Sequence, residues 1–251
     1  MEVVLDKGPS RSEWLHSDWF INVSYTFSRL WGNYSGLASS DEKGRSDPGV
    51  ERFFDYPING FTATGAPDAG RLPTDRPHVL KSYGGLTFDW FGNRTNSTTL
   101  SYFTTFQSGT PLTTFVDVEN SFIPLTERGD LGRTPMYTQT DLNFTHRYKF
   151  GRDLKYALAF DVNVTNLFNE ANVLDVNNTI DSGTSGTFHC AELGAAGSTA
   201  LGCMNTILNT GIVSNVQAFL AGDPLRRTAL YGLPSAFQPN RSVRFGFRFL
   251  F

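Results

Sequence analysis

The chain has 251 residues and a formal net charge of −3, so it lacks the basic excess that nucleic-acid binding needs, and no nucleic-acid partner is expected. Hydrophobic residues make up 39% of it, yet no run approaches the roughly 18 apolar residues of a membrane helix. Aromatic residues are 14%, with 22 Phe, an excess that suits alternating strands with one apolar face and aromatic girdles, whose mean hydropathy stays near neutral.

In chain order, Glu2 to Lys7 reads as a short strand with Val3 and Leu5 on one face, ended by the Gly8-Pro-Ser-Arg-Ser12 turn. Trp19, Ile21, Val23, Tyr25 and Phe27 then alternate with Phe20, Asn22, Ser24, Thr26 and Ser28, the period of a two-faced strand. From Trp31 to Pro77 the pattern gives way to Gly, Ser, Asp and Pro over roughly 45 residues, a length abnormal between elements of a compact soluble domain. His78 to Trp90 and Thr98 to Gln107 form the next strand pair around a short turn at Phe91 to Thr95, and Ser108 to Pro135 is a long polar connection. Thr138 to Lys149 and Leu154 to Thr165 make the clearest hairpin, reversing at Phe150-Gly-Arg-Asp153. After Asn166, roughly 70 residues rich in Gly, Ser, Thr and Asn lead to the closing strand.

That last strand places Val243, Phe245, Phe247, Phe249 and Phe251 on one face and Ser242, Arg244, Gly246, Arg248 and Leu250 on the other. Four Phe in a row need an apolar medium, and the two Arg opposite them need water or partners. Lipid on one side and a watery lumen on the other satisfies both. The strand resembles the C-terminal signal of bacterial outer-membrane β-barrels, which implies recognition by the barrel-assembly machinery. The whole chain is expected to be all-β, an antiparallel meander of about seven long transmembrane strands forming a partial outer-membrane barrel with long extracellular loops. Connections alternate short and long, which places the short turns and the C-terminus on the periplasmic side. Trp90, Phe91, Tyr148, Phe150, Tyr156 and Phe251 then fall at the inner rim, and Phe27, Trp31, Phe106, Tyr137 and Phe168 at the outer rim.

Few residues suggest chemistry. His146 shares its face with no nearby Ser and reads as an interfacial side chain beside Tyr148. His189, Cys190 and Cys203 lack a fourth ligand at metal-site spacing, and Cys190 with Cys203 is expected to close a disulfide. No catalytic, cofactor or metal site is expected. Arg128-Gly-Asp130 matches an adhesion tripeptide, but its Gly reads as a turn. Asn22, Asn143 and Asn163, each in an Asn-x-Ser/Thr triplet, read as polar lumen-facing positions. Levelling Phe251 with Leu154 brings Asp161 opposite Arg244, a candidate lumen pair.

Several segments, in order, resemble the C-terminal part of TonB-dependent outer-membrane receptors, particularly the large Oar-like group. They are Ser24-Tyr-Thr-Phe-Ser28, Gly32-Asn-Tyr-Ser-Gly36, Asp75-Arg-Pro-His-Val-Leu-Lys81, Phe106-Gln-Ser-Gly-Thr-Pro111, Gly132-Arg-Thr-Pro135 with Thr140-Asp-Leu142, Asp161-Val-Asn-Val-Thr-Asn-Leu-Phe-Asn169 and Gln238-Pro-Asn-Arg-Ser242. The resemblance implies a barrel of about 22 strands around a plug, in the bacterial outer membrane. A TonB complex would move the plug to admit a scarce, bulky nutrient bound by the outer loops. Residues 1–251 then correspond to the last seven strands, with plug and earlier strands absent. Met1 to Lys7 shows no export signal, which fits a mature or partial chain. A small passive porin and a loop-presenting adhesin share the same strand physics and remain the alternatives.

Overall fold

A computed structural model of the chain describes residues 1–12, 17–33, 69–90, 95–118, 121–180, 188–193 and 229–251, with isolated positions between 202 and 221. Strands β1 (Glu2–Ser12) and β2 (Ser17–Phe27) come first, followed by a short ribbon of β3 (Trp31–Gly32) and β4 (Gly70–Arg71). Then come β5 (His78–Asp89), β6 (Asn96–Gln107), β7 (Phe115–Val118), β8 (Ser121–Pro124), β9 (Tyr137–Phe150) and β10 (Tyr156–Thr165). The last connection carries β11 (Val173–Val176), β12 (Thr179–Ile180) and β13 (Pro234–Phe237) before β14 (Ser242–Leu250).

Seven strands form one sheet in the order β1-β2-β5-β6-β9-β10-β14, every neighbouring pair antiparallel. This is the meander that the alternation predicts. β1 and β14 are its two edges and are not hydrogen-bonded to each other. Connections at 13–16, 90–95 and 151–155 are short, and those at 28–77, 108–136 and 166–241 are long, so all the long ones emerge at one end.

The register carries each face through all the strands from β2 to β14. Trp19, Leu86, Leu100, Phe144, Val162 and Phe245 form a continuous transverse row of paired residues. The adjoining row on the other face is Asp18, Thr87, Thr99, Thr145, Asp161 and Gly246. A one-residue slip anywhere would exchange the two faces. Gly84 and Gly85 sit side by side in β5, one on each face. A Cβ on Gly84 would meet the Tyr102 ring at 2.8 Å and the Phe20 carbonyl oxygen at 2.9 Å; one on Gly85 would meet the Phe20 ring at 2.6 Å. Two aromatic rings therefore lie flat over the backbone on opposite sides, and the Tyr102 hydroxyl reaches Ser82 Oγ at 2.9 Å.

The sheet itself encloses almost no apolar core. Among the described residues, Ala157 and Ala159 are its only buried apolar side chains, whereas Leu112, Phe115, Val116, Ile180, Phe188 and Leu193 are buried within the connections. Phe245 is 70% exposed and Phe247 81%. Among the described residues no helix is long and apolar enough to cross a membrane.

Three sequence expectations change. Punctuation at Gly8-Pro9 predicts an end at Lys7, but β1 continues to Ser12 past a register break between Lys7 and Ser10. An edge strand with a bulge is one of the few sheet positions that accept Pro, which lacks an N–H. Leu154 belongs to a 3-10 turn at Arg152–Leu154, not to β10, with Asp153 and Leu154 at φ of 60° and 55°. The long connections are not featureless either. β7 pairs with β8 and, in parallel, with β12, while β11 pairs with β13, so the third long connection is stitched to the second.

Candidate functional site: the polar face and the knots above it

Polar positions of β9, β10 and β14 form a hydrogen-bonded lattice on one face. Asp161 is its centre: Arg248 grips the carboxylate with two bonds, Nε to Oδ2 at 2.9 Å and Nη2 to Oδ1 at 2.8 Å, and Thr145 Oγ1 donates to Oδ1 at 2.8 Å. Asn143 donates to Asn163, and Gln139 Nε2 donates to Asp141 Oδ1 at 2.8 Å. The candidate pair Asp161–Arg244 is thus corrected. Asp161 faces Gly246, and Arg244 faces Asn163. β10 begins at Tyr156 because Leu154 is in the turn, so the ladder starts at Ala157↔Leu250 and the offset moves by two residues. A shift of two preserves the face. Gly246 leaves space over the carboxylate that Arg248, two residues further on, reaches across.

Val243, Phe245, Phe247, Phe249 and the terminal Phe251 share the opposite, apolar face, paired along β10 as Val164, Val162, Phe160 and Leu158. At the short-turn end Phe249 stacks on Tyr156 and on Phe251, with centroids 6.0 and 5.8 Å apart, and Phe150 packs against Tyr148 and Tyr156. Further up, Phe160 contacts Phe247 and Phe245 at 4.9 and 6.3 Å. Tyr148, Phe150, Tyr156 and Phe251 cluster as the inner-rim reading expects, while Phe91 lies outside the described residues. His146 is on this face too, bonded to Thr98 Oγ1 at 2.9 Å.

At the long-connection end, two polar knots tie the loops to the strands. In the first, Asn166 is 1% exposed with φ of 55°. Its Nδ2 donates to the carbonyls of Glu170 (2.8 Å) and Pro239 (2.9 Å), and its Oδ1 accepts the Glu170 N–H (2.9 Å). Asn169 Oδ1 accepts the Arg241 N–H at 2.9 Å, and Gln238 Nε2 donates to the Thr138 carbonyl at 3.1 Å. These residues clamp the two ends of the last connection to each other and to β9. In the second knot Arg133 donates to the carbonyls of Asp75 (2.7 Å) and Gly109 (2.8 Å) and forms an ion pair with the Asp75 carboxylate, which also accepts the Leu30 N–H at 2.8 Å. A Cβ on Gly109 would overlap the Thr134 carbonyl oxygen at 1.7 Å, so the two chains touch backbone to backbone there.

The remaining candidates are placed as follows. Arg128 is buried and donates to the Asn33 carbonyl at 3.2 Å, Gly129 has φ of 84°, and Asp130 accepts the Thr114 N–H at 2.7 Å. The tripeptide thus ties the first long connection through Arg128 and its own loop through Asp130. Cys190 is disulfide-bonded; Cys203 lies outside the described residues, as does His16. Asn22 donates to Asp6 Oδ1 at 3.2 Å. The segments Asp75-Arg-Pro-His78, Gly132-Arg-Thr-Pro135, Asn166-Leu-Phe-Asn169 and Gln238-Pro-Asn-Arg241 therefore supply knots, a role invisible in the sequence because their partners are mostly distant backbone atoms.

No protein-family model matches the chain, and no solved structure matches it. The chain is 33% identical over 169 residues to the TonB-dependent transporter Oar of Myxococcus xanthus, an alignment covering 65% of this chain and 14% of that protein. Over that span this chain is similar to part of a TonB-dependent transporter, of whose length it covers a small share.

Proposed function

We propose that residues 1–251 are the C-terminal arc of a transmembrane β-barrel in the bacterial outer membrane, and that the intact protein is a TonB-dependent receptor-transporter without enzymatic activity. The observation that carries this reading is a seven-stranded sheet that buries almost no core of its own, with a face richest in Phe along β10 and β14 on one side and a charged, hydrogen-bonded face on the other. Such a sheet needs two different media. Lipid is the medium for the Phe-rich face. A wet lumen, filled by a plug in the intact receptor, is the medium for the lattice around Asp161. The similarity to a TonB-dependent transporter supports the same assignment.

In lipid every backbone polar group must be paired, so the open edges of β1 and β14 would be closed by further strands of a longer chain. The barrel-assembly machinery would read the face from Val243 to Phe251. The knots would fasten the long connections to the strands at the outer rim, where a scarce, bulky nutrient would dock before plug movement admits it. The test is cellular. The full-length protein should fractionate with outer membranes, and its deletion should impair growth on a limiting nutrient to the same extent as loss of the TonB complex, without additivity. Steady, energy-independent conductance from the purified protein would overturn the receptor reading in favour of a passive pore.

A further inference from the structure

Where the apolar face of β2 and β5 meets the long connections lies a cavity of about 520 Å³, lined in part by Trp31 and Arg71 of the β3–β4 ribbon. Phe27 and His78, an opposed pair on the apolar face, form its base, and Tyr25 hydroxyl bonds His78 Nδ1 at 2.7 Å to hold that ring. The lining contains three arginines, Arg29, Arg71 and Arg133, against the single carboxylate of Asp75. Arg133 is committed to Asp75. Arg29 lies 5.9 Å from the Phe27 ring centroid, and among the described residues neither it nor Arg71 is paired with a carboxylate. Both are exposed, and beside them Trp31 is 66% exposed.

Two uncompensated guanidinium groups at the margin of an apolar band attract an anion. Arg presents a planar fork that matches phosphate oxygens two at a time. Trp at such a margin places an apolar body in the membrane and its N–H at headgroup level. A soluble anion would make no use of the Trp31 surface or of the Phe27 ring in the lining. A ligand in transit would meet the polar face instead. We propose that this cavity binds the phosphorylated headgroup of an outer-leaflet glycolipid, with Arg29 and Arg71 on the phosphate and Trp31 against the acyl-proximal sugar. This rests on the outer-membrane reading above. A lipid held there would staple the β2–β5 end of the barrel to its leaflet.

The test uses the full-length protein extracted from outer membranes, stripped of lipid in mild detergent and examined by native mass spectrometry. The probes are bisphosphorylated lipid A, its dephosphorylated counterpart and phosphatidylethanolamine. The phosphorylated form should bind at least about tenfold more tightly than the dephosphorylated one, the scale of charge-assisted contacts. That preference should weaken with added salt and disappear in the R29Q/R71Q double variant. An R29K/R71K variant should retain part of it. Equal binding of the two lipid A forms by the wild-type protein overturns the proposal, and this comparison does not depend on any variant folding. Displacement by millimolar inorganic phosphate also overturns it, assigning the site to a soluble anion. Absence of the protein from outer membranes sinks the membrane reading and this inference together; correct localisation without phosphate preference sinks the inference alone.

Discussion

Replacing Asn166 with Ala should open the last connection at its root. The side chain makes three hydrogen bonds inside a site that is 1% exposed. At about 1 kcal/mol net each, their loss amounts to about 3 kcal/mol. The backbone there has φ of 55°, a left-handed conformation that Asn tolerates and Ala resists by about 1 kcal/mol more. A total near 4 kcal/mol corresponds to roughly a thousandfold faster local opening, at 1.4 kcal/mol per tenfold. Amide hydrogen exchange reads this directly. The Leu167 N–H, bonded to the Thr140 carbonyl at 2.7 Å, and the Arg241 N–H, bonded to Asn169, should lose protection, while β1–β2 amides should not change. N166G keeps the backbone conformation comfortable and should lose only about a hundredfold. Unchanged exchange at Leu167 and Arg241 in N166A would refute the knot. Equal loss across β1 and β2 would instead make the whole sheet one cooperative unit.

Other outcomes follow from the same geometry. R133M removes both carbonyl contacts and leaves the Asp75 carboxylate with the Leu30 N–H but without its cation, which should cost about 2–3 kcal/mol and appear as new protease cleavage in the loops it ties. G84A should cost about 1–3 kcal/mol by overpacking, and more than G85A in chemical denaturation, because Gly84 faces the Phe20 backbone oxygen whereas Gly85 faces side chains alone, the Phe20 ring and Ser101 Oγ. Cysteines at 161 and 246 should cross-link readily and those at 161 and 244 should not, since only the first two positions are directly paired. A maleimide titration of the folded protein should find no reactive thiol at Cys190.

The sheet was legible because its signal repeats at every residue. In Leu154 to Thr165 and Ser242 to Phe251 the apolar set recurs at period two, and that phase is the one observed from Tyr156 onward. The offset between those strands was not legible. They are separated by some 75 residues of connection, which leaves sliding by two unconstrained by pattern; the slide followed from where the 151–155 turn ended. The parallel pairing of Phe115–Val116 with Thr179–Ile180 had no chance of being read, since each piece is shorter than any periodicity test and its partner is remote. Knot residues were visible as motifs, but the contacts that join distant segments, Asn166 to the Pro239 carbonyl, Gln238 to that of Thr138 and Arg133 to those of Asp75 and Gly109, have no sequence signature.

Whether the Phe-rich face lies in lipid is decided by nitroxide labels placed singly along β14 in the full-length protein reconstituted into bilayers. Labels at 245 and 247 should be accessible to dissolved oxygen and shielded from a water-soluble nickel reagent, and labels at 244 and 248 should show the reverse, with a period of two. Nickel accessibility at all four positions, or no alternation between them, would contradict a membrane-spanning sheet.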